Sequence, residues 1–190
     1  MIPTITLQFS TTQSSLGNWA SALIRRMTHS PFSHVDIVTP EGHLLGASDS
    51  PDAPVLEGNP RGVAIRPQHY QAFGYRRRMV IQTGKAPPIY QAAYSQIGKP
   101  FDGDALQDFI SDSFPGYRDW RDTGHWFCAE LAVWAFETGG YWLPMTELPW
   151  PKNRVSPSDL FLIFLMDANW LNRETFWDRI EGLPLDSKER

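Results

Sequence analysis

A chain of 190 residues with 42% hydrophobic and 20% charged side chains has the composition of a single globular domain, residues 1–190, rather than of a disordered chain. The formal charge of −4, from 17 basic and 21 acidic side chains, argues against a nucleic-acid partner, which normally asks for a basic surface. One cysteine, Cys128, leaves no internal disulfide, so folding does not depend on an oxidising compartment.

The opening segment, Met1 to Phe9, has no basic start and no long apolar core, so no secretory signal is expected there. The longest apolar run, Leu160 to Met166, is far too short to span a bilayer. The expectation is a protein made soluble in the cytoplasm, with export by a route that needs no cleaved signal left open.

Thr4 to Phe9 alternates apolar and polar residues and reads as a strand. Ser14-Ser15 offers an N-cap to a helix carrying Leu16, Trp19, Ala20, Leu23, Ile24 and Met27, and Pro31 stops it. His34 to Val38 and Leu44 to Ala47 flank the turn signal Pro40-Glu41-Gly42 and read as a hairpin. Val63 to Arg66 and Met79 to Gln82 are two further short strands, with Arg76-Arg77-Arg78 as the solvated entry of the second. Pro51, Pro54, Gly58, Pro60 and Gly62 crowd a long connection. From Pro87 the pattern turns helical, with Ile89, Ala92, Ala93, Gln96 and Ile97 on one side and Gly98 as the expected cap. Asp104 to Ile110 reads as a further helix. Cys128 to Thr138 is the clearest helix, closed by Gly139-Gly140, and Ser156-Pro157-Ser158-Asp159 opens the last one with an N-cap and an N1 proline. Strands gather early and helices late, so the class is α+β.

Cys128 follows a turn signal at Asp122-Thr123-Gly124 and opens its helix. A cysteine there faces unpaired backbone N–H groups and the positive end of the helix dipole, and both favour the nucleophilic thiolate. Leu131, Ala132, Ala135 and Gly139 share its face and are mostly small, so the helix can lie close against a sheet. The competing reading is a buried cysteine acting only as a small hydrophobe.

Of five histidines, His29, His43 and His69 fall in or beside turns, and His125 is too close in sequence to oppose Cys128. His34 opens a strand with Asp36 on the same face, so His34 is the candidate base. A third group should orient its imidazole. Asp36 ranks first and Ser48, on the adjacent strand, second. Glu130, in the first helical turn, and Trp126, just ahead of the cysteine, are the candidate substrate-contacting residues. A favourable charge at the helix N-terminus is the first reading of Glu130.

The segments Ser33-His34-Val35-Asp36-Ile37-Val38 and Trp126-Phe127-Cys128-Ala129-Glu130-Leu131 resemble the circularly permuted branch of the NlpC-type, papain-like superfamily, and in particular its YiiX/YebB-like members. Tyr94 to Asp102, Arg118-Asp119-Trp120 and Ser156 to Leu160 add to the likeness, which runs from about Leu7 to Leu160. The resemblance implies a permuted papain-like fold, an antiparallel sheet packed against helices, with histidine before cysteine in the chain. It implies Cys128 as nucleophile, His34 as base, and cleavage of amide bonds, often in peptidoglycan peptides, through an acyl-enzyme. Lipid-acting relatives place a second histidine where this chain has Gly46, a departure that leaves the third catalytic residue open.

No cofactor is expected. No His-Glu-x-x-His or cysteine pair occurs, and Asp102, Asp104, Asp108 and Asp112 read as a solvated loop and helix face before they read as a cation site. No Gly-x-Ser-x-Gly elbow supports a serine triad. Three readings stay open: an amidase or peptidase, with an immunity protein as partner if it is an antibacterial effector; a thiol-dependent lipid acyl hydrolase or acyltransferase; and a non-catalytic binding module on the same fold.

Overall fold

A computed structural model describes residues 2–12, 18–71, 73–103, 124–141 and 155–166. The described elements in chain order are β1 (Thr4–Thr12), α1 (Asn18–Thr28), β2 (His34–Val38), β3 (Leu44–Asp49), β4 (Glu57–Gly58), β5 (Arg61–Arg66), β6 (Phe73–Gln82), α2 (Ala86–Tyr94), α3 (Cys128–Thr138) and α4 (Pro157–Leu165). The strands form one six-stranded sheet in the order β4-β5-β3-β2-β1-β6, and every pairing is antiparallel. The class is therefore α+β. Among the described residues, no helix is long and apolar enough to cross a membrane.

Period-two alternation gives the sheet two unlike faces. Ile5, Leu7, Phe9, Val35, Ile37, Leu45, Ala47, Val63, Met79 and Ile81 share one face, all buried in the main core with residues of α2, α3 and α4. Gln8, Ser10, His34, Asp36, Ser48 and Arg66 lie on the other and are also buried. α3 packs against β2 and β3, and α2 and α4 pack against α3. At Gly139 an added Cβ would press on the backbone of Ile89, so the close crossing of α3 over the start of α2 needs glycine there.

The hairpin from β2 to β3 turns through Gly42, whose φ of +87° favours glycine. β6 is longer than the expected Met79–Gln82 because it pairs with nearly all of β1, from Thr4↔Gln82 to Thr12↔Phe73. α2 is shorter than expected: it ends at Tyr94 with Ser95 as cap. Gly98, with φ +92°, belongs to the following turn and donates its N–H to Val63 O at 2.9 Å, so it docks the chain on β5 instead of closing the helix. α4 opens as expected, with a reciprocal capping box between Ser156 and Asp159 and Pro157 in the first turn. The Ser14-Ser15 cap, the Asp104–Ile110 helix, Arg118-Asp119-Trp120 and the carboxylates of Asp104, Asp108 and Asp112 lie outside the described residues.

Candidate active site

Cys128 is the first residue of α3, after Phe127 in extended backbone (φ −103°, ψ 167°), and among the described residues no side chain caps this end. The first-turn N–H groups thus keep no intrahelical acceptor. The strand-like approach to Cys128 is held in place from β5. Lys99 O accepts from Val63 N at 2.8 Å, Phe101 N donates to Arg61 O at 2.9 Å, Trp126 N donates to Pro100 O at 3.1 Å, and Asp102 N donates to Trp126 O at 3.0 Å. Gly62 lets this segment close in, since a Cβ there would collide with the Lys99 carbonyl. Residues 99–102, bonded to β5 on one side and to Trp126 on the other, are therefore a clamp that fixes where the cysteine helix begins.

His34 lies where the sheet opens. β2 and β3 pair only at Ile37↔Leu45 and Val38↔Leu44, so the ladder is lost toward His34, while β1 still holds that residue through Ser10↔His34. The side chain of His34 comes within hydrogen-bonding reach of Cys128 at this open end. Both are buried, each 6% exposed.

Asp36, expected as the first choice for the orienting group, holds the ring: its Oδ1 lies 3.0 Å from His34 Nε2. The carboxylate is 1% exposed, and its Oδ2 has no partner among the described residues. A cation beside it is the compensation such a dry charge requires. Burial alone would push the His34 imidazole down. The charges of Asp36 and Cys128, and hydrogen bonds to both, reverse this and push it up to about 10. Gly46 makes room for the arrangement, because a Cβ at that position would collide with Asp36 Oδ1. The space that a side chain at position 46 would take is thus filled by the Asp36 carboxylate reaching across from β2.

Ser48, the second choice, is not placed on the ring. It donates to Ser50 Oγ at 3.1 Å and lies within hydrogen-bonding reach of Tyr70. Trp126 is 2% exposed and donates its indole N–H to Gln96 Oε1 at 3.1 Å, with the Trp134 ring centroid 5.2 Å away. That placement gives Trp126 a packing role beneath the helix start. Glu130 is buried in the first turn of α3. His29, His69 and His125 are exposed and His43 is half-buried. Among the described residues, no group of three or more His, Cys, Asp and Glu comes together as a metal site.

Two residues beside the site are not singled out by the sequence. Tyr70, in the turn after β5, has its hydroxyl 3.2 Å from His34 Nε2. Burial, with the Asp36 charge, holds its phenol well above the ordinary range. Arg66 is fully buried and donates to Gly46 O at 2.9 Å, Gly62 O at 3.1 Å and Pro60 O at 3.2 Å. Its guanidinium stands 5.5 Å from the Tyr70 ring centroid. A buried arginine closing an alternating strand of otherwise small and apolar residues was the available clue, since arginine is rarely buried without partners.

No protein-family model matches this chain, and no curated protein matches it.

Proposed function

We propose that this chain is a cysteine-dependent amide hydrolase of the permuted, NlpC-type papain-like kind, acting on a peptide such as a peptidoglycan fragment. The observation that carries the reading is the meeting of Cys128, at the N-terminus of α3, with a His34 ring held by Asp36. An imidazole that keeps its proton through neutral pH supplies the cation a thiolate needs beside it. Nε2 is engaged by Asp36 and Tyr70, which leaves Nδ1 as the ring atom to serve the sulfur.

The thiolate attacks the substrate carbonyl, and the backbone N–H of Cys128 at the helix start meets the oxyanion. The C–N bond breaks as His34 gives its proton to the leaving amine. His34, now neutral, takes a proton from water as that water attacks the thioester, and release of the acid restores the starting pair. Cys128, His34 and Asp36 carry these roles. Glu130 supports the helix start by its charge.

Mass spectrometry of the protein mixed with peptidoglycan peptides and, separately, with lipid esters tests the reading. Acylation at Cys128 by peptides, absent in Cys128→Ala, is the expected result. Acylation by esters alone would move the chain to lipid chemistry, and acylation by neither would leave a binding module.

A further inference from the structure

We propose that Tyr70 is a positioning residue for His34: its hydroxyl shares the Nε2 proton with Asp36 and is held by Gln71, while Arg66 stands over its ring. This rests on reading His34 as the partner of Cys128. The acceptor positions of the phenol oxygen are filled. It receives the His34 Nε2–H at 3.2 Å and the Gln71 Nε2–H at 3.0 Å, so both lone pairs are used. Ser48, whose own proton goes to Ser50 Oγ at 3.1 Å, lies beside the phenol and interacts with it.

The ring is fixed as firmly as the hydroxyl. Phe73 meets it edge-on, with centroids 5.5 Å apart and planes at 89°. Arg66, held by the carbonyls of Gly46, Pro60 and Gly62, stands over its face. The same guanidinium thus holds the Gly46 backbone, over which Asp36 lies, and the Tyr70 ring, so the two groups on Nε2 share one support. Ser48, expected as an orienting residue, lies beside Tyr70 and not on the imidazole.

The groups facing His34 are Asp36 on its own strand, Cys128 on α3 and Tyr70 after β5, with Arg66 of β5 behind Tyr70 and the neutral Ser10 across on β1. A phenol oxygen that accepts from the ring stabilises the imidazolium. Removing it therefore lowers the pH at which His34 loses its proton.

The test is the ring titration of His34, followed by NMR on 15N-histidine-labelled full-length protein and assigned with His34→Ala. It is read in wild type, Tyr70→Phe and Ser48→Ala, each checked by thermal melting. The expected result is a midpoint lower by about one pH unit in Tyr70→Phe, the size of one hydrogen bond to a charged group. Ser48→Ala should shift it in the same direction and by less, and it keeps the test open should Tyr70→Phe not fold. A raised His34 midpoint in wild type that neither variant moves would overturn the role of Tyr70 and leave the Cys128–His34 reading standing. An ordinary midpoint in wild type would overturn both.

Discussion

The two faces of the sheet use the same strands for opposite ends. On one, Leu7, Phe9, Val35, Ile37, Leu45 and Met79 are buried against the helices, and any apolar side chain of similar volume would serve. On the other, His34, Asp36, Ser48 and Arg66 are buried among polar partners, where the identity of single atoms decides whether the group is satisfied. The core face should therefore answer to volume, and the polar face to chemistry.

The largest expected effect separates the faces at once. Cys128→Ala and His34→Ala should each lower turnover by on the order of 10³-fold or more, while the melting temperature of Cys128→Ala stays close to wild type. Ile37→Ala, on the opposite face of the same strand, should cost about 2–5 kcal/mol in urea unfolding with the thiol reactivity of the folded fraction kept. If Ile37→Ala damaged reactivity more than stability, the division between the faces would fail.

Gly46→Ala tests the polar face by volume. The added methyl collides with Asp36 Oδ1, and such crowding costs about 1–3 kcal/mol. Rapid alkylation of Cys128 should fall with it, as Asp36 is pushed off His34. At the far end of the core, Ser156→Ala removes the cap that accepts from Asp159 N. It should cost about 1 kcal/mol, read as a lower urea midpoint, with reactivity unchanged.

The pH dependence of stability sharpens the same contrast. The His34 midpoint is raised to about 10 in the folded protein, above the ordinary ~6.5 of an unfolded chain. Its contribution is therefore fully present below the unfolded value and is lost as pH rises through about 10. Urea unfolding of wild type and His34→Gln should show a wild-type advantage that shrinks from pH 7 to above pH 10. A wild-type advantage that grew over that range would contradict the arrangement.

Much of this was legible in the residue pattern, and for identifiable reasons. Period-two alternation placed β1, β2 and β3. A paired glycine marked the end of α3, and Ser156-Pro157 the start of α4. The same alternation set His34 and Asp36 on one face, but not that residues two apart on a strand would touch at 3.0 Å; that depends on how the two side chains turn where the ladder opens. Tyr70 lies in a turn with no period to betray it, and its contact with His34 spans 36 residues. Gly98 shows the reverse: a local stop signal reads as a helix cap, but its positive φ serves a long-range bond to Val63.

The most direct measurement is the rate of Cys128 alkylation against pH in the native protein and in His34→Ala, where a single cysteine makes the signal unambiguous. An unperturbed thiol titrates near pH ~8.5. Fast alkylation at neutral or acid pH that is lost in His34→Ala is the expected result. A slow reaction with an ordinary titration, the same in both proteins, would contradict the catalytic pair.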